Sequence, residues 1–468
     1  MLSRKSIVYL VSLVGLVYPV SLVQPNRPNE PNNRASLAGS LSVLLVVFIL
    51  GTTSMAHAQF GGSCRASAPP SRASGTGSFE VIPSLCVAER YDSNVFFRPA
   101  TPGLQRDDFV TTVNPRIRVN HSGEYASGVL NLGGFSETYA RNSNLDYLGT
   151  RDSLFLNLDN SIKRLFPHAS LRIMDTFSYT QLPPALVNPI AGRSPTDPNI
   201  IVDPNIPNSD EVFAQGLQFE RRYNLMNTGT VMTSYATTDL TSLNASYSYS
   251  ILRFKGAPTT QGLSLLDATT QTGALWGTAR LSDLDTVNVR YSQSQTESMR
   301  GPTSSFFKVD TATLGWSRLL TQNLSAQVGG GVIVISTGLT TYAANASLVM
   351  NFMNSSATMS YARTAVPSFV GAGEPLIADR FSLSAVQKLS RQWQVTESGS
   401  YVHTTRAGGL NALTYDSLIA TGDIQYWLNS IWGTSLSYSY MKFTRESGSI
   451  NTDFDRHVVM FSVIASWN

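Results

Sequence analysis

Groups suited to proton transfer are few in this chain. Beyond residue 58 the histidines are His121, His168, His403 and His457, and only His457 has carboxylates close by in sequence, Asp453 and Asp455. A hydrolase needs a nucleophile, a base and an orienting carboxylate within hydrogen-bond reach. His121 and His168 fall in short polar stretches suited to turns. His403 and His457 lie towards the ends of longer segments, where a His–Asp dyad is a minor reading. The sequence shows no metal-ligand spacing, no phosphate loop and no glycine-rich nucleotide fingerprint. The expectation is a chain that is not an enzyme, with no catalytic, metal-binding or cofactor-binding residues and no cofactor.

Arginine is the other chemistry-bearing type. Arg116, Arg118, Arg172 and Arg290 sit on the polar sides of alternating segments. A guanidinium grips a carboxylate or sulfate with two parallel hydrogen bonds, so inward arginines could guide acidic solutes along a lumen. The plainer reading is solvated charge balanced by neighbouring Asp and Glu. The charge count favours it: with Arg4, Lys5, Arg27, Arg34 and Glu30 set aside in residues 1–58, the remainder carries 30 basic and 30 acidic residues. No basic patch interleaved with aromatics points to nucleic acid.

These side chains need a scaffold, and the hydropathy pattern supplies one. Only 14% of residues are charged and mean hydropathy is −0.04, which excludes a chain dominated by long apolar helices. From Phe79 onward, segments of about ten residues alternate apolar and polar side chains at the strand period. Phe109, Val113 and Ile117 oppose Thr112, Asn114 and Arg116; Leu243, Tyr247 and Tyr249 oppose Asn244, Ser246 and Ser248. The polar faces are mostly Ser, Thr, Asn and Gly, which suits a wet lumen better than an open surface rich in Lys and Glu. Gly329-Gly330-Gly331 falls inside a strand pattern, where glycine lets a barrel bend or another element approach.

Connector lengths alternate as well. Short turns are expected at His121–Glu124, Phe166–His168, Asp239–Ser242, Ser282–Asp285, Thr321–Asn323, Asn354–Ser356, Ser390–Gln392 and Asn429–Ile431. Longer connections lie between them, with Ser336–Leu339 the short exception. The alternation predicts an all-β, antiparallel up-and-down transmembrane barrel of the outer-membrane type, with about 18 strands (16–18) and both ends in the periplasm. Trp316, Trp393, Trp427, Trp432 and Trp467 fall beside the short turns or the C-terminus, where an interfacial girdle would sit; Trp276 lies mid-strand. The period-two stretch Asp455–Asn468 is expected to be the last strand, pairing with Trp432–Glu446 and closing on the first strand near Phe79–Phe97. The proline-rich loop Gln181–Asp210 is either a constriction, a lid or exposed.

Residues 1–58 have the composition of a cleaved signal peptide or extended leader, ending on Ala56-His57-Ala58. Residues 59–78 form a flexible periplasmic lead-in, and 79–468 the barrel. Cys64 and Cys86 either pair, pinning the lead-in to the barrel rim, or remain free thiols.

One stretch carries a resemblance. Glu89-Arg90-Tyr91-Asp92-Ser93-Asn94-Val95-Phe96-Phe97 resembles the E-x-Y-D-x-N-V-F opening of the β-barrel porin type 2 family, and the Ser-Tyr repeats at Ser246–Ser250 and Ser437–Tyr440 look like that family too. The resemblance implies an outer-membrane barrel associated with exopolysaccharide or PEP-CTERM systems, and it supplies no catalytic residues. The expected function is a conduit or accessory in exopolysaccharide export. A general diffusion porin and a plugged structural or adhesive barrel are the alternatives. Expected partners are outer-membrane lipid, the barrel assembly machinery, polysaccharide and periplasmic export components, with no nucleic acid.

Overall fold

The computed structural model describes residues 78–97, 99, 105–181, 222–255, 266–300, 303–368, 375–407, 413–447 and 450–467. Alternating segments become strands β1 (Ser78–Asp92), β2 (Asp108–Ser122), β3 (Ser127–Tyr139), β4 (Tyr147–Asn157), β5 (Ala169–Thr180) and β6 (Tyr223–Ala236). Next come β7 (Thr241–Lys255), β8 (Asp267–Arg280), β9 (Asp285–Arg300), β10 (Thr303–Thr321), β11 (Leu324–Ile335) and β12 (Thr340–Asn351). The last are β13 (Ser355–Pro367), β14 (Pro375–Lys388), β15 (Trp393–Arg406), β16 (Leu413–Trp427), β17 (Trp432–Ser447) and β18 (Ile450–Ser466). They form one 18-stranded antiparallel sheet in chain order, and β1 pairs with both β2 and β18. The sheet is a closed barrel without an open edge.

Period-two alternation decides which side chains meet water and which meet lipid. Outward positions include Phe79, Leu243, Leu275, Val289 and Leu314, all exposed, Phe79 to 68% and Leu314 to 61%. Such a continuous apolar belt would drive a soluble protein to aggregate, whereas hydrocarbon removes it from water at no cost. Closure satisfies the backbone groups within the sheet, as a bilayer demands. The chain is a transmembrane β-barrel of the bacterial outer membrane.

The rims carry amphipathic side chains. At the short-turn end, the Trp316 indole N–H donates to Asp285 (3.1 Å), and Trp393 packs on Tyr426 at 4.5 Å between ring centroids. Trp393, Trp432 and Trp467 are outward and exposed as expected. Trp427 is a correction: alternation on β16, with Ile424 outward, turns it inward against Cys86, Ala88, Met460 and Ile464. At the other end, outward Tyr hydroxyls meet polar partners. Tyr291 donates to Asp310 (2.6 Å), Tyr401 to Asp416 (2.7 Å) and Tyr361 to Asp379 (2.7 Å).

Closure follows the expected seam. β17 pairs with β18 from Trp432↔Ala465 to Ser447↔Ile450, and β1 pairs with β18 from Ser84↔Ser466 to Asp92↔Val458. The first strand is shorter than its pattern suggested, because β1 stops at Asp92 and 93–97 leave the sheet. A second difference lies between β4 and β5, where helix α1 (Asp159–Leu165) precedes the turn. Its Asp159 accepts the backbone N–H of Leu171 at 3.0 Å, which ties the helix to the foot of β5.

The glycine run in β11 has one position that is dictated sterically. A Cβ on Gly331 would stand 1.9 Å from the Ala312 carbonyl oxygen, so β10 and β11 could not pair there with any side chain present. Cys86 is disulfide-bonded and faces the lumen from β1, packed in a cluster with Trp427 near the short-turn rim. Cys64, the other cysteine in the sequence, lies outside the described residues, as do residues 1–58 and most of Gln181–Asp210.

Candidate functional site in the barrel lumen

Strand parity settles the position of the four sequence-derived arginines. Phe109, Val113 and Ile117 are exposed on the outer face of β2, so Arg116 and Arg118 point inward. Arg118 donates to Asn120 (2.8 Å), whose amide donates to Glu80 (2.8 Å). Arg172, inward near the foot of β5, lies 3.6 Å from Asp159 of α1. Arg290, between outward Val289 and Tyr291 on β9, stacks over Trp276 at 4.8 Å. The structure brings Arg116 and Arg118 together on β2; Arg172 and Arg290 occupy other parts of the wall.

The same parity turns six further arginines inward: Arg90, Arg151, Arg380, Arg406, Arg445 and Arg456. Inward carboxylates within the described strands are Glu80, Asp92, Asp108, Glu137 and Asp423. The lumen wall therefore carries twice as many arginines as acids, and the turn-end residues Arg280 and Lys388 would only add to the excess. Two of the four sequence-derived arginines nevertheless have acids close by, Arg172 with Asp159 and Arg118 with Glu80 through Asn120. The compensating acids face outward or lie at the rims: Asp310, Asp379 and Asp416 meet tyrosines there.

Two ion pairs that the sequence reading missed anchor the outer half of the lumen. Arg90 donates Nη1 to Glu137 Oε1 (2.9 Å) and Nη2 to Oε2 (2.8 Å), and the Tyr139 hydroxyl donates to the same carboxylate (2.7 Å). Across the seam, Arg456 donates Nε to Asp92 Oδ1 (2.9 Å) and Nη2 to Oδ2. All four charged side chains are 2% exposed or less. Burying an ion costs several kcal/mol after relaxation, and two-point geometry is what offsets it. Arg90 and Asp92 were visible as charges on the inner side of β1. Their partners were not, since Glu137 is 47 residues from Arg90 and Arg456 is 364 from Asp92.

The family-like stretch gains a physical role here. Asp92 Oδ1 accepts the Asn94 N–H (3.1 Å), turning the chain inward off β1. Ser93 and His457 exchange hydrogen bonds, Ser93 N–H to the His457 carbonyl (2.9 Å) and His457 N–H to Ser93 Oγ (2.7 Å). The Asn94 amide reaches the Asp455 carbonyl (3.3 Å). Phe97 adopts φ of 53°, a left-handed conformation a bulky residue holds only when its surroundings enforce it. The enforcement is visible: Phe97 is fully buried, with the Arg456 guanidinium 4.4 Å above its ring. Val95 and Phe97 pack with Tyr415, Met441, Phe443 and Phe454, so the turn fills lumen volume beside the seam.

The histidines stand outside this cluster. His403 Nδ1 meets Asp416 at 2.8 Å and His457 Nδ1 meets the Tyr438 hydroxyl at 2.9 Å, both on outward faces of the aromatic rim. Among the described residues, neither hydrogen-bonds a serine or cysteine side chain through its ring. Nearby, outside the strands, burial opposes the charged form of Asp107, but hydrogen bonds from Gln105 and Arg141 outweigh it and hold the carboxyl below its usual range. The Arg141–Asp107 contact is 2.6 Å.

No protein-family model matches the sequence and no curated protein is similar to it. Among solved structures, the chain is similar to the siderophore receptor PirA from Pseudomonas aeruginosa, at 8% identity and a TM-score of 0.42 over 84% of this chain and 81% of that one. It is also similar to the outer membrane protein opdK from Pseudomonas aeruginosa, at 10% identity and a TM-score of 0.40 over 83% and 99%. PirA from Acinetobacter baumannii follows at 6% identity and 0.39, covering 84% and 81%.

Proposed function

We propose that this barrel is a passive outer-membrane conduit for anionic solutes, with acidic envelope saccharides as its cargo. The observation that carries the reading is the inward excess of arginine in a closed barrel. A low-dielectric wall focuses such a charge excess on the solvent path, raising the local concentration of anions. The resemblance of Glu89–Phe97 to the β-barrel porin type 2 family supports a place in exopolysaccharide export, beside periplasmic export components. Anion selectivity also accommodates a diffusion porin that passes small acids generally.

Reversal potentials in planar bilayers under a KCl gradient test the reading, with a chloride-favouring value expected. Cation preference, or no openings from folded protein, would sink it. Retained polysaccharide secretion in a deletion strain would remove the export assignment and leave the conduit.

One observation favours a second reading, a plugged structural or adhesive barrel: Val95 and Phe97 fill the lumen beside the seam. Conductance that appears only when residues 93–97 are replaced by glycine and serine would favour that alternative.

A further inference from the structure

The glycine run in β11 holds one position that backbone crowding does not explain. Gly331 is fixed by the Ala312 carbonyl, and a Cβ on outward Gly330 would make only an ordinary contact at 3.8 Å. Gly329 faces inward between outward Val328 and Gly330, and a Cβ there would stand 2.6 Å from Asn345 Oδ1 and 3.1 Å from its Nδ2. Its cross-strand partner on β10, Gly315, repeats the arrangement from the other side: Asn288 Oδ1 and Nδ2 are both 2.8 Å from the Cβ position. One ladder row thus runs Asn288, Gly315, Gly329, Asn345 across β9 to β12. The two outer side chains lean towards each other along the wall, and each carboxamide lies flat over a glycine.

The glycines are what bring the amides together. Cβ positions directly opposite on paired strands are about 4.5–5.5 Å apart, so the carboxamides rest side by side in the middle of the row. Both asparagines are half-buried in the lumen wall, and among the described residues neither amide has a hydrogen-bond partner. Their surroundings carry little charge: among the described inward positions of β9 to β12, Arg290 is the one ionised side chain. Arg290 lies one inward position above Asn288 and stacks on Trp276, which is half-buried on β8 and sits diagonally across from Asn288.

A carboxamide offers two donor hydrogens and one acceptor oxygen. Two of them side by side match a pair of sugar hydroxyls, each of which both donates and accepts. A carboxylate or sulfate would satisfy the N–H donors but press against two carbonyl oxygens, so the row favours hydroxyls over charge. Trp276 adds an apolar surface for the C–H face of a pyranose ring and an indole N–H donor.

We infer that Asn288 and Asn345, laid over Gly315 and Gly329 and bordered by Trp276, form a saccharide-binding step that reads a pair of neighbouring ring hydroxyls. The inference rests on the conduit reading for its cargo and adds a location and the groups recognised. Arginines elsewhere on the wall draw in acid groups, whereas this row takes hold of the sugar itself.

Titration calorimetry on the refolded full-length barrel tests it. Maltohexaose is the saccharide probe, polyethylene glycol of matching size the control without neighbouring hydroxyls, and sodium sulfate the anion. Maltohexaose should bind and the other two should not. Asn288→Leu and Asn345→Leu should each weaken maltohexaose at least tenfold. Gly315→Ala and Gly329→Ala should fold, because the added Cβ meets the movable end of a side chain, yet weaken it at least fivefold by lifting the amide. They carry the test if the leucine variants give no heat-modifiable band. Gly273→Ala, on the outer face with nothing within 4 Å, should bind like wild type. Equal affinity in all variants, equal binding of polyethylene glycol, binding of sulfate alone, or no binding of maltohexaose would each overturn the step. An anion-selective reversal potential from a barrel that ignores maltohexaose would leave the conduit reading standing without it. Amide-dependent maltohexaose binding by a cation-selective barrel would uphold the step and sink that reading.

Discussion

Asp92→Asn is the sharpest perturbation of the lumen cluster. The carboxylate is fully buried, receives two hydrogen bonds from Arg456 and accepts the Asn94 N–H. Asparagine preserves the Oδ1 acceptor, and with it the Asn94 turn, but removes the charge and one acceptor from a guanidinium that has no exposure. Removing one member of a buried pair costs about 3–5 kcal/mol. The retained contacts place this variant at the lower end, about 3 kcal/mol, or roughly a hundredfold in the folded-to-unfolded ratio. Folded and unfolded barrel can be counted by heat-modifiable gel migration across a urea series in detergent micelles. Arg456→Met added to Asp92→Asn removes the stranded charge and should recover at least half the loss, the signature of coupled residues. If Asp92→Asn lies within about 0.5 kcal/mol of wild type, or the second substitution adds to the damage, the seam ion pair does not hold the barrel as argued.

Other outcomes follow from single features. Gly331→Val should leave no heat-modifiable band, since its Cβ would stand 1.9 Å from the Ala312 carbonyl oxygen, whereas Gly273→Ala and Gly277→Ala, with nothing within 4 Å, should fold like wild type. Brominated lipid should quench single-tryptophan variants retaining Trp393, Trp432 or Trp467 and spare those retaining Trp276 or Trp427. Equal quenching of Trp427 would refute its inward placement. The folded carboxyl of Asp107 lies below its unfolded value, so the Arg141 contact stabilises above the usual carboxyl range and is lost as pH falls through the folded value. Arg141→Gln should raise the Asp107 midpoint, followed by carbon-13 NMR of labelled aspartate. The stability difference near neutral pH should be only about 0.2–1 kcal/mol, because the pair is part-exposed, and should vanish in acid.

The architecture was written in periodicity. Strand alternation is a local property, and a one-residue slip would move every outward Val, Leu and Tyr into the lumen, so Phe109 to Ile117 and Leu243 to Tyr249 were assigned their faces without coordinates. Connector lengths then gave the order and direction of strands, and the closing partners of the last one. Helix α1 escaped because its seven residues hold only two apolar side chains, Ile162 and Leu165, a single spacing of three that is too little to establish a helical period. Trp427 was misplaced because nearness to a turn says nothing about which face a residue takes. The lumen chemistry was legible only as isolated charges. Composition counts acids and bases together, and among the described strands parity sorts most of the acids outward, leaving more arginines than acids on the inner face. Arg90 met Glu137 only when β1, β2 and β3 lay side by side, and Arg456 met Asp92 only when closure joined the last strand to the first. Ion pairing needs ångström proximity, which barrel closure supplies across 364 residues and no local pattern can record.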